Sequence, residues 1–266
     1  MTERTKFFTK KALQSLLGLR RYLLFFQKYL LFTASSSLIG QVPYYRNKFN
    51  DLKFLLGFLN NGDTCIDIGA NIGVYTLKMA EAVGNLGHVY SFEPVTLNYQ
   101  IMLRSIPPKF KNVITCEHLA VSDHIGEVTI VMPELDGVYL HGLCHVTADP
   151  LNPNDKAEVV NSTTLDEYFK HIIGPIKLIK CDVEGHESKI FSGGKSLLAK
   201  HKPIIICELQ QNENLVCTFE LLEGLGYKGF YIERSELKLV SKTEEGWKDK
   251  VNYFFLPNST PPVLPL

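Results

Sequence analysis

The chain has 266 residues, 45% of them apolar, with 28 basic and 28 acidic side chains. That length suits one large domain or two small ones, and that apolar share argues against disorder. A net charge of zero gives no bulk attraction to nucleic acid.

The neutral balance hides an asymmetry. Residues 1–50 carry Arg4, Lys6, Lys10, Lys11, Arg20, Arg21, Lys28, Arg46 and Lys48, against one acid, Glu3. This basic arm contains the apolar stretch "YLLFFQKYLLF", Tyr22 to Phe32, interrupted by Gln27 and Lys28. It is far shorter than the ~20 apolar residues that span a bilayer. No small-residue cleavage site follows an uninterrupted apolar core, so a signal peptide is not expected. Two readings stay open: a helix lying on an anionic membrane surface, or a helix packed on the domain or on a second subunit.

From Asp63 the chain alternates strand and helix. "TCIDI" reads as a buried strand and "IGVYTLKMAEAV" as a helix. "HVYSF" is the next strand and "TLNYQIMLRSI" the next helix, stopped by Pro107–Pro108. "NVITCEHLAV" reads as a third strand. The rhythm then changes to a β-rich insertion, "GEVTIVM" and "AEVVNSTTL", around a polar loop between Pro133 and Pro153. Alternation resumes with "IKLIKCDV", a helix from about His186 to His201, "PIIICEL", a helix from Asn214 to Leu225, and "YKGFYI". A last strand, "NYFFL", precedes a Pro-rich tail. The pattern predicts a helical arm over 1–50, an α/β domain over 51–257 with a mostly parallel sheet covered on both faces, and a tail over 258–266.

In such sheets ligands bind beyond the carboxyl ends of the strands. The stretch "TCIDIGANIG" ends a strand with Asp67 and continues with Gly69, Asn71 and Gly73. Glu93, after the next strand, stands where an acid can accept both hydroxyls of a ribose. Two nucleoside ligands compete. A dinucleotide needs G-x-G-x-x-G, and Asn71 stands where its second glycine would be. Asp67 would repel a pyrophosphate, whereas a carboxylate favours the cationic amino-acid end of S-adenosylmethionine. The local pattern leans to S-adenosylmethionine.

The six cysteines form no CxxC pair and most lie in apolar runs, a usage that fits a reducing compartment and a cytoplasmic protein, peripheral at a membrane if the arm binds one. His141, Cys144 and His145 in "HGLCH" lack an evident fourth zinc partner. Asp182, Glu184 and Glu208 could serve as oxygen ligands for magnesium, but no further ligand set stands out, and no metal is expected. "KCDVEGHE" sets Lys180, Asp182, Glu184, His186 and Glu187 within one short stretch; strand alternation puts Lys180 and Asp182 on one face. Asp182 is the leading candidate for a base or acceptor-orienting group, followed by Glu184 and His186. Asp182 or Glu184 could instead bind the cofactor's ammonium or cap the following helix.

Four segments together resemble the FkbM-type methyltransferases: "CIDIGANIGVYT", "VYSFEP", "LAVSDHIGEVTI" and "TTLDEYF…IKLIKCDVEGHESKIFSGG…PIIICEL". The resemblance runs from about Asn61 to Leu256. It implies the class I methyltransferase (Rossmann-like) fold, a seven-stranded, mostly parallel sheet with one reversed strand and helices on both faces. It implies S-adenosylmethionine as cofactor. By it, Asp67, Gly69, Asn71 and Gly73 hold the methionine part, Glu93 the ribose, and Ala120, Val121 and Ser122 line the adenine pocket. Asp182, Glu184, Gly185 and Glu187 match the motif that faces the methyl group, with His186 at a variable position. The acceptor it suggests is a hydroxyl of a sugar, glycan or related natural product. A nicotinamide-dependent oxidoreductase and a non-catalytic binding protein on the same scaffold are the alternatives. Oligomeric state is left open.

Overall fold

The computed structural model describes residues 51–132, 134–135, 138–139, 144–147, 156–233, 236–243, 247 and 251–259. The basic arm, His141 and the end of the tail lie outside the described residues. Among the described residues no helix is long and apolar enough to cross a membrane.

The described residues begin with a helix over 51–57 (α1), followed by strand β1, Thr64–Ile68. Helix α2 (Val74–Val83), strand β2 (His88–Phe92), helix α3 (Thr96–Ser105) and strand β3 (Ile114–Glu117) follow. Strands β4 (Ala120–Val121), β5 (Gly126–Met132), β6 (Glu134–Leu135), β7 (Val138–Tyr139), β8 (His145–Thr147) and β9 (Lys156–Thr163) form the insertion. Then come α4 (Leu165–Tyr168), β10 (Ile176–Cys181), α5 (Glu187–Ser192), α6 (Lys195–His201), β11 (Ile204–Glu208) and α7 (Glu213–Gly224). The last strands are β12 (Tyr227–Glu233), β13 (Glu236–Leu239) and β14 (Asn252–Pro257).

The main sheet has the order β13-β12-β14-β11-β10-β1-β2-β3. β1 is parallel to β2 and β10, and β10 to β11, while β14 runs antiparallel to both β11 and β12. This is the expected arrangement with a single reversed strand inside the sheet. It differs in one respect: β13 adds an antiparallel edge to β12, giving eight strands among the described residues. Glu236 and Lys238 of that strand are exposed, so it lacks the apolar run that marks the others.

Both faces of the sheet are covered, which is why its central strands read as continuous apolar runs. Ile66, Ile68, Ile179, Cys181, Ile205 and Cys207 pack on the side of α4 to α7. Cys65, Leu178, Ile204 and Ile206 face the other side, with Leu55 of α1 and Leu77 and Ala80 of α2. By alternation, Asp67 and Lys180 project toward α2.

Two boundaries differ from the sequence expectation. The third strand is divided: after Glu117 the chain leaves the main sheet, and β4 joins a second sheet of order β4-β9-β5-β8. His118 holds the crossing point, its Nε2 lying 2.9 Å from the carbonyl of Pro94. The helix expected from His186 to His201 breaks at Gly193–Gly194. Asp166 of α4 starts the second piece by accepting the N–H groups of Ser196 (3.0 Å) and Leu197 (2.8 Å).

The second sheet docks over the end of β2. Val128, Ile130, Met132 and Val160 pack with Val95 and Ala120. Glu158 Oε2 accepts the N–H of Thr96 at 3.0 Å, placing a carboxylate at the α3 N-terminus.

Candidate active site

The turn between β1 and α2 is stitched to the end of β2. Gly69 N–H and Ala70 N–H both donate to the Phe92 carbonyl at 3.0 Å. Three residues in the turn have left-handed backbone: Gly69 (φ 71), Asn71 (φ 53) and Gly73 (φ 84). Asn71 tolerates this because its side-chain Oδ1 accepts the next backbone N–H, that of Ile72, at 2.8 Å. The two glycines are required by the protein's own packing. A Cβ on Gly69 would lie 1.9 Å from the Asp182 carbonyl oxygen, and one on Gly73 would lie 2.8 Å from Met102 Cγ. The turn therefore sits directly against the end of β10.

Asp67 lies beneath this turn and is fully buried. Thr76 Oγ1 donates to its Oδ2 at 2.6 Å, and Ser91 Oγ donates to Thr76 Oγ1 at 3.0 Å. Lys180 Nζ lies 3.3 Å from Asp67 Oδ1 and 3.6 Å from Asp182 Oδ2, and donates to the Gly69 carbonyl at 3.0 Å. Its position 5.2 Å over the Tyr75 ring adds a cation–π contact. Burial opposes the lysine's charge, but Asp67 and Asp182 outweigh it and hold its pKa above the ordinary value. The buried Asp67 carboxylate thus faces Lys180 and Thr76 from beneath the turn.

Glu93 follows β2 and is nearly fully buried. Its Oε2 accepts the N–H of Asn71 at 2.7 Å and its Oε1 the N–H of Val95 at 2.9 Å, with Asn98 Nδ2 at 3.4 Å. Burial raises its pKa to about 7, although these hydrogen bonds and Lys180 favour the charged form. Two backbone N–H groups fix the carboxylate beside the glycine turn, and its remaining lone pairs can accept further donors.

At the end of β10, Asp182 N–H continues the ladder by donating to the Ile68 carbonyl at 3.1 Å. Asp182, Tyr75, Asp51, Glu208 and Asn252 line a small cleft there. Asn252 Nδ2 donates to Asp51 Oδ2 at 2.7 Å, tying β14 to α1. Glu184 has left-handed backbone (φ 56) and accepts a hydrogen bond from Gln210 Nε2. Burial, then the nearby charges of Asp182, Glu208 and Glu187, raise its pKa to about 7.

Glu187 turns away from the cleft. Its Oε1 accepts the N–H groups of Val183 and Gly185 at 3.3 Å, and Asn214 Nδ2 donates to its Oε2. This acid shapes the loop. Ala120, Val121 and Ser122 are buried at β4, and Ser122 Oγ lies 3.0 Å from His186 Nε2. Cys144 precedes β8 and His145 is its first residue, and no group of three His, Cys, Asp or Glu residues suited to a metal occurs among the described residues.

Spacing in the sequence pairs Lys180 with Asp182; the fold adds the Lys180 bond to Asp67 and brings Tyr75, Asp51 and Asn252 to the same cleft. Strand alternation gives partners along one strand. The Asp67–Lys180 register arises from pairing β1 with β10, which spacing alone does not reveal.

A reversed strand inside an otherwise parallel core, a glycine turn after β1, and carboxylates after β2 and β10 define a class I methyltransferase architecture. The profile of the methyltransferase FkbM domain matches residues 67–231. The chain belongs to the FkbM methyltransferase family.

Among solved structures, it is similar to the methyltransferase FkbM from Methylobacillus flagellatus KT, with 15% identity and a TM-score of 0.45 over 75% of this chain and 47% of that one. It is also similar to a SAM-dependent O-methyltransferase from Thermotoga maritima, with 11% identity and a TM-score of 0.43 over 79% of this chain and 64% of that one. A third is an O-methyltransferase from Bacillus cereus in complex with SAH, with 9% identity and a TM-score of 0.44 over 87% of this chain and 90% of that one. The chain thus spans about half the length of the Methylobacillus protein. No curated protein matches it.

Proposed function

We propose that this chain transfers a methyl group from S-adenosylmethionine to a hydroxyl oxygen of a sugar, glycan or related natural product. The observation that carries the cofactor reading is the Glu93 carboxylate, held by Asn71 N–H and Val95 N–H against the glycine turn. The residues present fit the group: Glu93, fixed by two backbone N–H groups, keeps lone pairs that can accept a ribose diol. Ala120 and Val121, both buried beside the end of β2, are the residues this reading sets on the adenine side.

When bound, S-adenosylmethionine supplies a methyl group already activated by its sulfonium. The chain's own part is to place an acceptor oxygen and take its proton. Asp182, 3.6 Å from Lys180, is the group that orients or deprotonates the acceptor. Glu184, with a pKa near 7, is the second carboxylate suited to hold that proton. Each turnover forms one O–CH3 bond, breaks one S–CH3 bond and moves the hydroxyl proton to a carboxylate. Incubating the protein with methyl-labelled S-adenosylmethionine and a glycan fraction tests the acceptor class. Label should enter as an alkali-stable ether in wild type, and Asp182→Asn should lower incorporation at least about tenfold. Label on nitrogen or carbon would sink the oxygen assignment.

Calorimetric titration of S-adenosylhomocysteine tests the cofactor reading. Glu93→Ala should weaken binding about tenfold to a hundredfold, the effect of losing a charged acceptor of roughly 1.5–3 kcal/mol. The pH dependence follows from the raised pKa of about 7 at Glu93. Ribose hydroxyls donate to the ionised carboxylate, so binding favours that form. Affinity should rise from about pH 6 to about pH 8 and then level off. Because Glu184 titrates in the same range, variants separate the two groups. Glu93→Gln should flatten the profile and Glu184→Gln should leave it. The reverse pattern would assign the dependence to Glu184.

A further inference from the structure

We propose that His186 is a positioning residue that locks the adenine-side segment after β4 to the methyl-side loop after β10, so that the two halves of the cofactor site are set by one helix. The inference rests on the cofactor reading above. Helix α5 runs beside residues 122–123 and meets them at three levels. At its start, His186 Nε2 lies 3.0 Å from Ser122 Oγ. At its middle, Lys189 Nζ lies 3.2 Å from Asp123 Oδ2. At its end, Gly193 backs onto the Ser122 carbonyl, where a Cβ would come within 2.3 Å of the oxygen.

The segment is also held from its other side. Ser122 N–H donates to the Thr163 carbonyl at 2.8 Å. Asp123 Oδ1 lies 2.8 Å from His124 Nδ1, and Ser122 Oγ lies 3.2 Å from the same carboxylate oxygen. The hydrogen bond from His124 and the ammonium of Lys189 hold the Asp123 pKa down at about 2.

The same helix governs the loop before it. Glu187 is its first residue, and the Glu187 carboxylate accepts the N–H groups of Val183 and Gly185. Movement of α5 therefore displaces both segments. His186 joins them by the shortest route, since it follows Gly185 directly and ends on Ser122. Burial pushes its pKa below the ordinary histidine value, which favours a neutral ring with one donor and one acceptor nitrogen. A neutral ring spent on Ser122 is suited to fixing a hydroxyl.

The test is calorimetric titration of S-adenosylhomocysteine and of adenosine into wild type, His186→Ala, His186→Gln, Ser122→Ala and the His186→Ala/Ser122→Ala pair. A single net hydrogen bond corresponds to about a three- to tenfold change in affinity. His186→Ala and Ser122→Ala should each weaken S-adenosylhomocysteine by about that factor. The double variant should be no weaker than Ser122→Ala, because that change already removes the His186 contact together with the Ser122 bond to Asp123. Glutamine, which can still bond Ser122, should restore binding to within about twofold. Adenosine, which occupies only one of the two segments, should lose less than S-adenosylhomocysteine in His186→Ala. Unchanged affinity in both single variants, or multiplied losses in the pair, would overturn the inference alone. If His186→Ala failed to fold, Ser122→Ala and His186→Gln would decide by the same criteria. No binding by folded wild type would overturn the cofactor reading and this inference with it.

Discussion

Replacing Lys180 with Met should destabilise the protein by about 3–5 kcal/mol, measured by urea unfolding, the loss expected when one member of a buried ion pair is removed. The reason lies in what is left behind. Asp67 is fully buried, and Lys180 is its only cationic partner among the described residues. Thr76 supplies a single hydrogen bond, which does not balance a charge in a dry environment. The lysine also holds the Gly69 carbonyl and pairs with Asp182, so its loss loosens the glycine turn and the end of β10 together. The double variant Asp67→Asn/Lys180→Met should recover much of the stability, because it removes both charges. A single variant within about 1 kcal/mol of wild type would show that the pair does not carry this junction.

Gly69→Ala should cost at least about 3 kcal/mol and abolish S-adenosylhomocysteine binding by the folded fraction. A left-handed non-glycine residue alone costs roughly 1–2 kcal/mol. The larger part is the collision, since the new Cβ would stand 1.9 Å from the Asp182 backbone oxygen. Backbone cannot swing aside as a side chain can, so β1 and β10 would have to part at the end that bears the site. Gly73→Ala is the internal comparison. Its obstacle is the flexible side chain of Met102, so it should lose clearly less, and urea unfolding of both variants would rank them. Equal losses at the two positions would point to backbone strain as the common cause, with packing secondary.

The alternation of apolar runs and helical periods made the layered fold legible, because strands buried on both faces leave continuous runs such as "IKLIKC" and "PIIICEL". The strand β13 escaped notice because it lies at an edge, with Glu236 and Lys238 exposed, so burial imposes no pattern on it. The division of the third strand was hidden for the opposite reason. Ile114 and Val121 are both buried, but in different sheets, and an apolar run does not say which sheet it joins.

At the site, Glu93 could be placed from its position after a strand, whereas the two-sided bond of Lys180 depends on the neighbour of β10. The glycines were legible as tight-turn residues, but their contacts with Asp182 and Met102 are long-range. His186 stood in the motif as a candidate base, and only the folded chain brings Ser122, 64 positions earlier, to its ring.

The placement of β14 bears on how the protein is made. The last strand among the described residues lies between β11 and β12, bonded to both. Until Asn252–Pro257 has emerged from the ribosome, β11 presents an open ladder edge and β12 has only the hairpin strand β13 beside it. Nascent chains paused before that point would offer an unsaturated, apolar template to one another, the condition that chaperones exist to cover. The β14 residues Tyr253, Phe254 and Phe255 are all fully buried and contribute to both cores. The sheet is therefore completed only by β14, the last strand among the described residues, which is synthesised well after the residues of the site.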